Sequence, residues 1–166
     1  MVKIEILLAE GKAVKISELE LPRYVNFFES AYKENLEHSN AVAASYPCWS
    51  IISGYYSMHD ITKLLLAKKF SLKIELEVHA TTIKVVAELI KNAELLHLIK
   101  AGYKEFITLA NDLAIAKNER VKVQYYTGTT FMKEDYKKRA IAFSSEVVAP
   151  YVKKIKVLLG EAGGAL

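Results

Sequence analysis

Five polar side chains crowd the first half of an otherwise apolar stretch, GYYSMHDITKLLLAKKF at residues 54–70: Tyr55, Tyr56, His59, Asp60 and Lys63. Tyr56, His59 and Lys63 are three and four residues apart, so they share one face of a helix. Asp60 is one turn from both Tyr56 and Lys63 and is close enough to bond either. Two interpretations stay open: paired structural groups on a core helix, or the lining of a groove that takes a phosphate or a nucleobase.

A second group of chemically capable residues lies in KNERVKVQYY, residues 117–126. Arg120 and Lys122 can attract phosphate, Gln124 can read the hydrogen-bonding edge of a base, and Tyr126 offers a stacking surface beside Tyr125. The alternative is a loop at a helix end whose tyrosines tuck into the protein. The functional interpretation is a site for RNA or a nucleotide at this segment.

Other kinds of site are disfavoured by the residues present. No two of the four histidines are four residues apart and no HExxH occurs, so converging zinc ligands are not expected. The sequence TGTT at 127–130 lacks the phosphate-loop pattern. The single cysteine, Cys48, excludes an intramolecular disulfide, and its apolar surroundings predict a buried, inert thiol. Neither a metal nor a cofactor is expected.

Composition and charge fit a cytoplasmic globular domain. The 166 residues are 52% apolar, which suits one domain with its own core. The sequence contains no run of about 18 uncharged apolar residues, so a membrane span is not expected. The N-terminal sequence lacks a small-residue cleavage site, and we therefore expect a cytoplasmic protein without a membrane partner. A net charge of +4 is compatible with an anionic partner but is moderate.

Helical periodicity organises most of the chain. Residues 2–16 are ambiguous between a small hairpin and a frayed helix broken at Gly11. A first long helix is predicted from Pro22, where a proline costs no hydrogen bond, to about His38. A second helix should run to Lys69 with Ser45 as its N-cap.

Three further helical segments follow the second long helix. The third covers about 83–90, the fourth runs from Leu95 to about Asn118, and residues 122–130 are predicted to be a loop. The last helix, about Lys133 to Leu159, should kink at Pro150. We therefore expect an all-α, up-and-down bundle of four or five helices over about 22–160 in a single domain 1–166, with a disordered tail at 160–166.

The stretch at 54–86, GYYSMHDITKLLLAKKFSLKIELEVHATTIKVV, resembles the second helix and following turn of HEPN proteins (higher eukaryotes and prokaryotes nucleotide-binding). That family shows a Tyr-Tyr-x-Met/Phe-x-x-x-x-Lys-x-Leu-Leu run, and a lysine-containing loop then leads to the next helix. Lys73 and the segment His79-Ala80-Thr81 hold those places here. The resemblance extends over about 23–160 and includes the C-terminal half.

The resemblance implies a helical bundle that dimerises. Many HEPN proteins are metal-independent endoribonucleases with an Arg-x4–6-His motif, and others bind RNA or nucleotides, or partner a minimal nucleotidyltransferase in toxin–antitoxin pairs. Arg120 matches the motif arginine, but positions 125 to 127 are Tyr125, Tyr126 and Thr127, so the motif histidine is absent. His59 could replace it only if it faced Arg120.

The favoured prediction is therefore a non-catalytic module that binds RNA or a nucleotide in a cleft lined by Tyr56, His59, Lys63, Arg120, Lys122, Gln124 and Tyr126. The first alternative is a metal-independent endoribonuclease with a rearranged site that uses Arg120 and His59. The second is a dimeric scaffold or antitoxin-type partner of a minimal nucleotidyltransferase.

Overall fold

A computed structural model describes the backbone of residues 3–122 and 130–161, and the side chains of these ranges apart from 113, 115–122 and 130–133. The described chain is an all-α helical bundle with one very small sheet, which confirms the predicted fold class. Its elements in chain order are α1 (Ile4–Ala9), β1 (Ala13–Lys15), α2 (Leu21–Val42), α3 (Pro47–Phe70), β2 (Leu72–Ile74), α4 (Val78–Val85), a π-helical turn (Val86–Ile90), α5 (Ala93–Lys122), α6 (Thr130–Phe143), a second π-helical turn (Ser144–Val148) and α7 (Ala149–Leu159).

Helix α3 is the central element of the bundle. It runs along α2 on one side and packs against α5, α6 and α7 on the others. The main core is built from its apolar side chains, among them Ile51, Met58, Ile61 and Leu65. Gly54 allows this close approach, because a Cβ there would lie 3.0 Å from both Ser39 Oγ of α2 and Val148 Cγ2 of the second π-helical turn. A helix surrounded in this way is buried on most of its faces, so apolar spacing alone does not mark a solvent-facing side.

The N-terminal segment does not form the hairpin considered from the sequence. Residues 4–9 are helical, and the strand that follows pairs antiparallel with β2, so that Val14 lies opposite Lys73. The reason is burial, because Leu7, Ala13 and Leu72 join Leu66 of α3 in a small second core beneath this sheet. The strand partner is remote in sequence, which a local turn pattern does not reveal.

Helix boundaries differ from the predictions where turns compete for the same residues. Ser45 is not the N-cap of α3: its backbone N–H bonds the carbonyl of Val42 in the turn that ends α2, and Tyr46 takes the N-cap position without a side-chain cap. Pro150 falls just after a π-helical turn, in the first turn of α7. The helix type changes just before Pro150, and the kink at this proline stays a prediction.

No helix in the described part of the chain is long and apolar enough to cross a membrane. Within the same residues, no group of three or more His, Cys, Asp or Glu side chains is placed to hold a metal ion. Cys48 is half-buried rather than fully buried, and burial raises the pKa of its thiol. The predicted disordered tail lies mostly outside the described residues, which end at 161.

Candidate functional site

An open groove of about 570 Å³ lies between α2 and the first half of α3. Its described lining residues come from the two helices and the short turn before α3: Asn35, His38, Tyr46, Trp49, Ile52, Ser53 and Tyr56. Trp49, Ser53 and Tyr56 are four and three residues apart, so α3 presents all three on one face. The groove is a place where the surface of α3 is not covered by another described helix.

Three aromatic side chains of the groove are exposed to solvent. Tyr46 is 63% exposed, Trp49 60% and Tyr56 39%, whereas Tyr55, the next residue along α3, is 2% exposed. The ring of Tyr56 stands edge-on to Phe106 of α5, with ring centres 5.9 Å apart and planes at 78°. That contact holds one wall of the groove while leaving part of the ring free. Exposed aromatic rings around a concavity are available for stacking on a planar ligand.

Two polar contacts tie the groove residues of α2 to α3. Asn35 Nδ2 donates to Asp60 Oδ2 at 3.0 Å, one turn beyond Tyr56. His38 Nδ1 lies 2.7 Å from Ser53 Oγ. Because both contacts cross between the helices, they fix the positions of Asn35 and His38 at the groove. Hydrogen-bonding groups therefore stand beside the aromatic rings.

Asp60 is a buried carboxyl group under the groove. It is 7% exposed, and burial raises its pKa to about 6, although nearby Lys63 and the bond from Asn35 favour the charged form. At pH 7 the carboxylate is still mostly ionised and can only accept hydrogen bonds. The Asn35 amide nitrogen must therefore point towards it.

His59 does not open onto the groove. Its ring is 3% exposed, and its Nε2 lies 3.2 Å from Thr82 Oγ1 of α4. Thr82 already donates its only hydroxyl proton to the Val78 carbonyl at 2.7 Å, so His59 Nε2 is the donor in the contact with Thr82. His59 Nδ1 then carries a lone pair that has no partner among the described residues. Burial lowers the pKa of His59 to about 3, helped by the charge of Lys63, and the ring is neutral at pH 7.

A hydrogen-bonded aromatic cluster surrounds His59 on the α4 and α5 side. The hydroxyl of Tyr55 lies 2.6 Å from His79 Nδ1, and the ring of Tyr55 stacks on Phe106 at 4.6 Å. His79 in turn stacks on Tyr103 at 5.7 Å. Burial raises the pKa of Tyr55 and lowers that of His79, so both groups are neutral. The Tyr55 hydroxyl and His79 Nδ1 therefore pair with each other inside the protein.

Lys63 points along α2 rather than into the groove. Its ammonium lies 4.8 Å from the centre of the Phe28 ring, in a cation–π contact. Burial lowers its pKa, while Asp60 opposes that change. Lys63 is not among the described residues that line the groove, so this charge sits beside the site without facing it.

The structure thus separates the residues that the sequence grouped together. Tyr56 lines the groove, while His59 and Lys63 are turned towards α4 and α2. The backbones of Arg120 and Lys122 belong to the last turns of α5, and their side chains lie outside the described residues, as do Gln124 and Tyr126 altogether.

Sequence reasoning missed six of the seven described lining residues of the groove: Asn35, His38, Tyr46, Trp49, Ile52 and Ser53. The run Tyr46-Pro47-Cys48-Trp49 is apolar in sequence and predicts only a buried thiol at Cys48. The usable signal was the spacing that continues the Tyr56 face of α3 back to Ser53 and Trp49. The polar residues of α2 gave no such signal, since a helix surface is commonly polar.

Comparison with family models, with curated proteins and with solved structures finds no match for this chain. The groove is therefore interpreted from its own chemistry. Three exposed rings and adjacent amide, imidazole and hydroxyl groups can stack on a flat heterocycle and bond its edge.

Proposed function

We propose that the chain is a non-catalytic binding protein for nucleobases, presented by single-stranded RNA or by a free nucleotide, and that it binds them in the groove between α2 and α3. The observation that carries this proposal is the exposure of Tyr46, Trp49 and Tyr56 around one concavity that also contains Asn35 and His38. Stacking of one base on an aromatic side chain contributes about 1–3 kcal/mol in single-strand binding proteins.

The volume and mixed chemistry of the groove also support a ligand of this class. About 570 Å³ is within the usual range for small-molecule sites, which are mostly apolar with a few placed polar groups. No lysine or arginine is among its described lining residues, so the groove itself suits a base rather than a phosphate. Attraction to phosphate is assigned to Arg120 and Lys122, as expected from the sequence.

The buried state of His59 favours binding over RNA cleavage. A general base for the ribose 2′-hydroxyl must come within hydrogen-bond reach of it, and His59 is 3% exposed. Labelled RNA incubated with the protein in EDTA should therefore stay intact. Fragments ending in cyclic phosphate that disappear in Arg120→Ala would contradict this and support the endoribonuclease alternative.

Membership of the HEPN family, dimer formation and a minimal nucleotidyltransferase partner are part of the same proposal. They follow from the sequence resemblance, and the helical bundle with a buried Tyr55 beside an exposed Tyr56 is compatible with them. Light scattering of the purified chain would test the dimer. A single-chain mass at all concentrations would remove that part of the proposal without affecting the groove.

Trp49 allows a direct test, because it is the only tryptophan of the chain and lies in the groove. A base that stacks near it should quench its fluorescence. Titrations with a single-stranded RNA pentamer and with AMP distinguish a strand from a free nucleotide. We expect quenching that saturates, and Tyr56→Leu should raise the Kd for the quenching ligand about tenfold.

Phe27→Leu is the matched control. Phe27 is a 63% exposed aromatic residue of α2 that does not line the groove, so this variant should bind like the wild type. Absence of quenching by both ligands, or equal loss of affinity in Phe27→Leu and Tyr56→Leu, would overturn the proposal.

A further inference from the structure

We infer that Asn35 makes the groove selective for bases that carry an exocyclic amino group, as adenine and cytosine do. This inference rests on the proposed function, since it concerns which bases the same groove accepts. It concerns specificity, which stacking on Tyr46, Trp49 and Tyr56 does not supply, because every base has a π-face.

The carboxylate of Asp60 fixes the orientation of the Asn35 amide. Asp60 is 7% exposed and its carboxylate accepts the Asn35 Nδ2 proton at 3.0 Å. Since a carboxylate cannot donate, the amide oxygen must be the atom turned away from Asp60. Asn35 lines the groove, and no described residue donates to its Oδ1. The groove therefore presents an oriented acceptor that needs a donor.

His38 supplies the complementary group. In the tautomer whose Nδ1 accepts from the Ser53 hydroxyl, across 2.7 Å, the His38 ring carries its proton on Nε2 and offers it as a donor. An acceptor and a donor on the same helix, three residues apart, match an amino group next to a ring nitrogen. Adenine has this pair at N6 and N7 or N1, and cytosine has it at N4 and N3.

Uracil and unsubstituted purine lack the amino group. On these bases Asn35 Oδ1 would lose its partner when the base excludes water, and an unpaired acceptor is costly. Selection thus comes from the cost of the wrong base as well as from the bond to the right one. A purely structural role for Asn35, as the partner of Asp60, would give no such discrimination.

The test compares two single-stranded pentamers by the midpoint of Trp49 quenching. One contains adenine at every position, and the other contains unsubstituted purine, which differs only in the missing amino group. The wild-type protein should bind the adenine pentamer about threefold to tenfold more tightly. Asn35→Ala should bind both pentamers with the same, weaker affinity.

Asn40→Ala is the matched control, because Asn40 is an exposed residue of α2 that is bonded by Ser144 Oγ and does not line the groove. It should keep the preference for adenine. Equal wild-type affinities, or a preference that survives in Asn35→Ala, would overturn the inference while leaving the proposed function in place. Absence of quenching by both pentamers and by AMP would remove the inference and the proposed function together. The comparison of the two pentamers on the wild-type protein tests the inference even if Asn35→Ala fails to fold.

Discussion

The two sides of α3 use polar residues in opposite ways. On the side that faces α4, α5 and α7, Tyr55 bonds His79, His59 bonds Thr82, and Thr62 Oγ1 lies 2.6 Å from the Tyr151 hydroxyl. On the side that faces the groove, Tyr56 and Trp49 keep much of their surface in solvent. Both sides look equally polar in the sequence.

The difference teaches that polar residues on a core helix become a site only where no neighbouring element covers them. Tyr55 and Tyr56 are adjacent, yet one is a buried structural residue and the other is a wall of a groove. On the covered side the hydrogen bonds specify how the helices meet. On the open side the same kinds of group stay exposed at the groove.

The largest expected effect is a contrast between Tyr55→Ala and Tyr56→Ala. Tyr55 is 2% exposed, stacks on Phe106 and bonds His79, so its truncation should lower the free energy of unfolding by about 3–5 kcal/mol. Tyr56→Ala should cost about 1 kcal/mol or less while weakening ligand binding. Urea unfolding followed by circular dichroism measures both, and similar losses for the two variants would break the comparison.

Two buried titratable groups, one under each side of α3, should act oppositely on acid stability. The folded-state pKa of His59 is about 3 and its ordinary value 6.5, so the unfolded chain binds the extra proton and stability falls as the pH drops from 6.5. The folded-state pKa of Asp60 is about 6 and its ordinary value 3.8. The folded chain therefore binds the extra proton, and stability rises as the pH drops from 6 towards 4.

Removing either group should reveal the pH dependence of stability that the other group contributes. Asp60→Asn should make stability fall more steeply than in the wild type between pH 6 and 4, and His59→Gln should make it fall less, each by up to about 1.4 kcal/mol per pH unit. Unfolding in urea at several pH values gives the slopes relative to the wild type, which shares all other carboxylates. Parallel curves for the three proteins would show that neither group is buried as described.

Much of the fold could be predicted because helical spacing is local. The periodicity from Pro22 and from the Gly54–Phe70 stretch predicted α2 and α3. The pairing of 13–15 with 72–74 could not be predicted, because it depends on a second core formed by residues that are distant in sequence. Local turn signals left residues 2–16 open between a hairpin and a frayed helix broken at Gly11.

The site was only partly predictable for a related reason. Spacing placed Tyr56, His59 and Lys63 on one face, but the direction in which neighbouring helices cover that face is a tertiary property. Neighbouring helices cover His59, which is buried, and leave Trp49 exposed. Asn35 is held at the groove by its bond to Asp60, which joins two helices, and no sequence motif predicts such a bond.

A smaller effect should separate base contacts from phosphate contacts. Because no lysine or arginine is among the described residues that line the groove, Arg120→Ala should leave the preference for adenine unchanged and weaken RNA binding about equally for all sequences. The slope of log affinity against log salt should also become shallower by about 1. A Kd series at increasing salt measures this. An unchanged slope would mean that Arg120 does not contact phosphate.

The smallest expected effect compares two serines that lie four residues apart on the α2-facing side of α3. Ser57 is fully buried and donates to the Tyr32 carbonyl at 2.9 Å, whereas Ser53 pairs with the exposed His38 at the groove. Ser57→Ala should cost about 1 kcal/mol of unfolding free energy, which is typical for one buried hydrogen bond. Ser53→Ala should cost less, because water can replace the serine at His38. Its effect should instead appear as weaker adenine binding, since the tautomer of His38 that donates from Nε2 loses the hydroxyl donor to its Nδ1.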